Sequence, residues 1–100
     1  MVFETNNRYV ITSIESDTLN YYHDKMRGHL CEIESMDVGD VGWMTVRFDD
    51  GMWHTIHTSE ILSVEVTEPD QDIVVKMRNS RYVFSKVNDE GGEPYAPDAA

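Results

Sequence analysis

Cysteine is almost missing from this sequence, since Cys31 is the only one in 100 residues. A single thiol forms no intrachain disulfide and does not complete a zinc knuckle. Long apolar runs are missing too: no stretch approaches the roughly 20 residues of a membrane span, and the first residues lack the basic and then apolar layout of a signal peptide. We therefore expect a soluble, cytoplasmic protein without a membrane anchor, a metal or a cofactor.

Basic residues are scarce as well: 8 Lys and Arg stand against 19 Asp and Glu, which gives a net charge of −11. Such a charge repels phosphate backbones, so direct binding of DNA or RNA is disfavoured. The exception is a basic stripe at 76–87, a segment without any acidic residue. Its members are Lys76, Arg78, Arg81 and Lys86.

The pattern of apolar residues predicts a mainly β fold in one domain, for which a hydrophobic share of 40% provides a modest core. Strands are predicted at 9–14, 29–34, 43–48, 52–57 and 62–66, with a short helix or long loop at 17–27 that Gly28 ends. Asp49, Asp50 and Gly51 form the tip of the central hairpin, where glycine accepts a left-handed conformation. Residues 58–60 read as one helical turn before the fifth strand.

A second hairpin is predicted near the C-terminus, with strands at 73–78 and 81–87 around Asn79 and Ser80. We expect it, over 72–87, to be added to a five-strand barrel at 8–66, so that one domain spans 1–87. Residues 88–100 combine glycine, proline and four acidic residues. This composition predicts a disordered acidic tail.

The order of these elements resembles the small SH3-like barrels over residues 8–66. The segment WMTVRFDDG at 43–51, followed by Trp53, is similar to the central hairpin of Tudor-type members of that group. In overall style, including the Arg-Asn-Ser-Arg-Tyr corner at 78–82, the chain also resembles the small uncharacterised proteins that bacteriophages and prophages encode. The first resemblance implies a barrel, and the second implies a host cytoplasm as the site of action.

Tudor-type domains hold methylated cations in an aromatic cage, so the resemblance implies an aromatic groove. Trp43 and Trp53 lie on one face of the predicted hairpin, where the simpler interpretation is that they cover the barrel. The basic stripe allows a related interpretation, RNA binding, against which stands plain neutralisation of acidic neighbours. The residues of this alternative aromatic and basic site are Tyr21, Tyr22, Trp43, Trp53, Arg78, Arg81 and Tyr82.

No residues with a catalytic pattern are found, and we expect no enzymatic activity. Cys31 lies in a predicted strand and is expected to be an inert core thiol. His54 and His57 are three residues apart in a strand, so they are expected to point to opposite faces and to share no metal ion. The paired carboxylates of Asp49 and Asp50 stand at an exposed turn, where nothing favours acid–base catalysis.

The acidic surface has two interpretations: a solvated face, or a phosphate-like surface that steers the chain onto a basic partner. The second leads to the main hypothesis, a non-catalytic acidic interaction module, encoded by a phage, that inhibits a host defence protein by occupying its basic nucleic-acid-binding surface. A peptide- or RNA-binding barrel is the alternative, and the residues are equally compatible with a monomer and a homodimer. The acidic partner-binding residues are expected to be Glu32, Glu34, Asp37, Asp40, Asp49 and Asp50.

Overall fold

The computed structural model describes Phe3 and residues 8–17, 21–68 and 71–87. Six strands and one short helix follow each other along the chain. They are β1 (Arg8–Ser16), α1 (Tyr21–Met26), β2 (Leu30–Ser35), β3 (Val41–Arg47), β4 (Trp53–Val66), β5 (Ile73–Met77) and β6 (Ser80–Lys86). The predicted tail at 88–100 lies outside the described residues.

The strands form a closed antiparallel barrel in the order β1-β2-β3-β4-β5-β6, which confirms the prediction of a mainly β barrel. The C-terminal hairpin differs from its prediction, because it is part of the barrel wall. Strand β5 pairs with β4, and β6 pairs with β1 to close the barrel. Inward residues of this hairpin, such as Val75 and Phe84, are fully buried. Burying them requires that the hairpin join the wall.

The core fills the barrel with alternating residues from every strand, as a half-buried strand pattern requires. Met44, Val75 and Phe84 are completely inaccessible to solvent. Phe3 adds an aromatic plug, since its ring meets the rings of Tyr9 and Phe84 edge to face at 5.1 Å in each case. Side chains therefore fill the interior of the barrel as a packed hydrophobic core.

The helical turn predicted at 58–60 is wrong, because β4 runs through it as one strand of 14 residues. Here β4 changes partners: Glu60 still pairs with β3, and Ile61 already pairs with β5. The buried hydroxyl of Thr58 accepts the Gly42 amide at 2.8 Å and donates to the Ser59 carbonyl at 2.7 Å. The polar residues at 58–60 mark the point where β4 changes its pairing partner from β3 to β5, and their sequence resembles that of a turn.

The two predicted turns also acquire definite geometry. Gly51 has φ +81°, and its amide donates to the Phe48 carbonyl at 2.9 Å, as the hairpin prediction requires. In the C-terminal hairpin Lys76 pairs with Arg81, so the connection lies at 78–79, one residue earlier than predicted. This register places Tyr82 opposite Val75, where both side chains are buried.

Helix α1 faces, across a cavity, a part of β4 that has a neighbouring strand on one side only among the described residues. Residues 53–57 pair with β3, whereas β5 pairs only with the part of β4 that begins at Ile61. The helix contributes the buried Met26, and Gly28 with φ +85° ends its last turn. The short-helix prediction at 17–27 is confirmed, with the helix beginning at Tyr21.

Candidate functional site

Strand β2 carries two of the predicted acidic residues, Glu32 and Glu34, and the other four lie in the connections that flank β3. Glu32 lies opposite Thr45, and the residues beside them in register, such as Ile33 and Met44, point inward and are buried. The other acidic residues continue this surface at both ends of the strands. We call the set the acidic wall: Asp49 and Asp50 at the β3–β4 tip, Glu32 and Glu34 on β2, and Asp37 and Asp40 in the β2–β3 connection.

The acidic wall is only partly neutralised. Arg8 pairs with Glu32 at 3.1 Å, and two histidines meet the hairpin tip, His29 at Asp49 (2.9 Å) and His54 at Asp50 (3.1 Å). The Met52 amide, followed by His54, holds the pKa of the Asp50 carboxyl below its usual range. The remaining members make no ion pair within the described part of the chain. These are Glu34, Asp37 and Asp40.

The residues of the predicted aromatic groove lie apart from one another. Tyr22 contacts Phe48, with ring centroids 6.2 Å apart, and Trp43 contacts His57 at 5.2 Å. Trp53 sits beneath the Arg8 guanidinium, 5.2 Å from the ring centroid. The side chain of Tyr21 lies outside the described residues. Trp43 and Trp53 share the outer face of the hairpin, as predicted, but they pair with different residues there.

Two members of the basic stripe, Arg78 and Arg81, pair with neighbouring carboxylates. Arg78 bonds Glu60 at 2.6 Å and Arg81 approaches Glu15 at 3.5 Å. An RNA-stacking surface would require the Tyr82 ring to be exposed to solvent, but Tyr82 is 3% exposed and packs in the core. The structure thus brings Arg78 and Arg81 to one shallow groove of about 350 Å³, together with Lys76 and the acidic Glu15.

A second cavity, which we call the cleft, lies between α1 and residues 54–57 of β4. It has a volume of about 380 Å³. His54 and His57, which were predicted to point to opposite faces of the strand, both line it. The cleft follows the edge of β4, and side chains from both faces of a strand can reach its edge. The side chains of α1, β4 and the neighbouring elements that complete its lining are Tyr22, His23, Met26, Phe48, Thr55, Ile56 and Tyr82.

Burial controls the protonation of two cleft residues. Desolvation, aided by the Arg27 charge, lowers the pKa of His23 despite the opposing effect of Asp24. Desolvation also raises the pKa of Tyr82 to about 12, against a small opposing effect of Arg27. At neutral pH the cleft therefore presents a neutral imidazole and a protonated phenol. No group of three metal-ligating side chains that could hold an ion is found among the residues described.

Sequence reasoning missed the cleft because its residues are distant along the chain. The four histidines were the available signal, and three of them, His23, His54 and His57, line this one cavity. Strand alternation alone placed two of them on opposite faces, since it does not show that one edge of β4 lacks a neighbouring strand at that point.

Cys31 lies in the core, as predicted. Its thiol is inaccessible to solvent, and burial followed by the nearby Glu32 charge raises its pKa far above the ordinary value. It faces Tyr9 and Val46 across the two neighbouring strands. The thiol is therefore protonated at neutral pH and shielded from reagents in solution.

No protein-family model, curated protein or solved structure matches this chain. Of the helices in the described parts, α1 has six residues, and none is long and apolar enough to cross a membrane.

Proposed function

We propose that this chain is a non-catalytic interaction module whose acidic wall binds the basic surface of another protein. The observation that carries the proposal is the placement of six carboxylates on β2 and beyond the two ends of β3, with Glu34, Asp37 and Asp40 free of ion pairs within the described residues. Carboxylates that lack a partner cation in their own chain keep their attraction for the cations of a partner.

The charge density of the acidic wall supports a partner that ordinarily binds nucleic acid. Strand β3 has seven residues, so it is roughly 23 Å long at about 3.3 Å per residue. The aspartates lie beyond both ends of β3, so the six carboxylates extend over at least roughly 30 Å, or about one charge per 5 Å, which is sparser than the ~3.4 Å of axis per charge on one DNA strand but of the same order. A groove that attracts phosphates would attract this surface by the same long-range field.

The partner that suits these features best is a defence protein of a bacterial host, with the chain as a phage-encoded inhibitor. The net charge of −11 supports binding at a basic channel, and the resemblance in style to phage proteins supports the source. Occupying the channel would exclude nucleic acid by direct competition, and it requires no chemistry from the acidic wall.

Affinity capture from a bacterial lysate tests the proposal with two matched triple variants. The wall variant replaces the three carboxylates without ion pairs by their amides, Glu34→Gln, Asp37→Asn and Asp40→Asn. The control variant changes the net charge equally at exposed positions away from the wall, Asp17→Asn, Glu65→Gln and Glu68→Gln. Captured proteins are identified by mass spectrometry at low and high salt.

We expect the native chain and the control variant to capture a basic nucleic-acid-binding protein at low salt, and the wall variant to lose most of it. Added duplex DNA should displace the captured protein. Equal capture by the two variants would show that the wall is only a solvated surface. Capture that neither salt nor DNA weakens would contradict binding at a nucleic-acid channel.

A further inference from the structure

The cleft contains polar groups that the protein itself does not use. Tyr82 is 3% exposed, yet its hydroxyl makes no hydrogen bond within the described part of the chain. Every fully enclosed side-chain nitrogen or oxygen among the described residues has a partner, so this hydroxyl is open to the cleft or to the adjoining pocket of about 110 Å³ that Tyr82, His23 and His57 also line. The imidazoles of His23 and His57 make ring contacts but no hydrogen bonds to described residues. Buried polar groups nearly always find partners, and groups left open at a cavity can receive a ligand.

The walls of the cleft are flat. The rings of Phe48 and His54 stack with centroids 4.2 Å apart and an interplanar angle of 27°, and the half-exposed Tyr22 ring continues this surface at 6.2 Å from Phe48. His23 meets the Tyr82 ring edge to face at 5.7 Å. Aromatic walls of this kind bind another planar ring by stacking and edge contacts.

The cleft has no charged lining among the described residues, although the chain as a whole is strongly acidic. One charge at its margin is the Asp50 carboxylate, which bonds His54 at 3.1 Å. Arg27, whose charge reaches Tyr82 and His23, already donates to Asp24 at 2.7 Å and to the Ile14 carbonyl at 3.0 Å. An anionic ligand would therefore gain no free cation here, and the net charge would repel it.

We propose that the cleft binds an uncharged, planar heteroaromatic compound. The ring lies against the wall of Phe48 and His54, and its polar edge meets the Tyr82 hydroxyl and the imidazoles of His23 and His57. The backbone of residues 54–57, which has no strand partner on this side in the described part of the chain, offers further donors and acceptors. The cleft adjoins the acidic wall at the Asp50–His54 bond, but no wall carboxylate lines it, so the proposal stands whether or not the wall binds a protein.

An added peptide strand is the competing occupant, since an unpaired strand edge also receives extended chains. The volume of about 380 Å³ favours the compact ligand, because it lies at the small end of the roughly 300–1,000 Å³ of small-molecule sites. Helix α1 lies along the cleft as well, with Tyr22 and His23 both in its lining. These features leave room for a ring system in preference to an extended strand.

Nuclear magnetic resonance of the full chain tests the proposal, with the ring signals of the cleft histidines as reporters. The probes are adenosine, cytidine and indole as uncharged rings, adenosine monophosphate as the anionic match of adenosine, and ribose as the non-aromatic control. We expect at least one uncharged ring to give saturable shifts with a Kd below about 1 mM. Ribose should give none, and adenosine monophosphate should bind several-fold more weakly than adenosine.

Two variants locate the site. Tyr82→Phe keeps the ring and removes the hydroxyl, so the Kd of the bound probe should rise about five-fold; Tyr9→Phe, a core phenol outside the cleft lining, should leave it unchanged. The exposed His57→Ala provides a second variant should Tyr82→Phe fold poorly, and it should weaken binding as well. Thermal melts report folding in each case.

Three results would overturn the proposal. One is the absence of saturable shifts with all three uncharged rings, and another is unchanged binding by both Tyr82→Phe and His57→Ala. The third is a set of histidine shifts that depend on protein concentration without any probe, because a second copy would then occupy the free edge of β4.

Discussion

Replacing Thr58 by valine should destabilise the barrel at the point where β4 changes partners. Thr58 is 6% exposed, and its hydroxyl is the acceptor for the buried Gly42 amide at 2.8 Å. Valine has the same shape without the hydroxyl, so Thr58→Val leaves that amide without a partner. A stranded buried donor costs roughly 1–3 kcal/mol, and the added methyl group returns about 0.8 kcal/mol.

The free energy of unfolding should therefore fall by roughly 0.2–2 kcal/mol in Thr58→Val. Urea unfolding measures it, and with a slope of about 1–3 kcal/mol per molar the midpoint should move by up to roughly 2 M. Thr58→Ser is the matched control, because it keeps the hydroxyl and loses one methyl group. Hydrogen exchange of the Gly42 amide separates the two: protection should fall in Thr58→Val and persist in Thr58→Ser. Equal protection in both variants would refute the assigned hydrogen bond.

Three more predictions concern single residues. Burial raises the pKa of Tyr82 from about 10 to about 12, so the stability that comes from its neutral form is complete below pH 10 and is lost as the pH rises towards 12. In pH-dependent melts, Tyr82→Phe should therefore lose less stability over this range than the native chain. An equal loss in the two proteins would contradict the assignment. Cys31 should react with a thiol reagent only after denaturation, so rapid reaction of the folded protein would contradict its burial. Gly51→Ala, forced to φ +81°, should cost about 1 kcal/mol in urea unfolding, and Gly51→Asn should cost less; equal costs would argue against strain as the cause.

Local patterns predicted the parts of the fold whose cause is local. The central hairpin follows from alternation on both sides of Gly51, and the core position of Cys31 follows from its place in an apolar strand. The short helix ends at Met26, just before Gly28, the residue that accepts a left-handed conformation. In each of these cases the residue that determines the local structure lies within the same element or turn.

Features that depend on distant partners could not be predicted in the same way. The polar run at 58–60 looks like a turn, and only the contacts of Gly42 and β5 explain why it remains a strand. The C-terminal hairpin joins the wall because β1 and β4 both offer it an edge. The cleft needs α1, β4 and Tyr82 together. Contacts between residues distant in sequence decide each of these cases, and the spacing of residue types along the chain does not reveal those contacts.

Both charged regions indicated by the sequence, the basic stripe and the acidic wall, form ion pairs within the chain. Both arginines of the basic stripe, Arg78 and Arg81, have an acidic partner in the chain itself. The acidic wall keeps three of its carboxylates without an ion pair in the described structure, Glu34, Asp37 and Asp40. These carboxylates add to a net charge of −11, whereas the stripe is a local exception of opposite sign, and for this reason the proposed function uses the wall.

The affinity of the captured partner as a function of salt tests the central proposal most directly. The Kd should rise steeply with salt for the native chain and the control variant, because the attraction is between charges in solvent. The wall variant should bind about ten-fold more weakly at low salt, with a shallower salt dependence, if each carboxylate contributes about 0.5 kcal/mol. A Kd that is indifferent to salt and equal in all three proteins would contradict a role for the acidic wall.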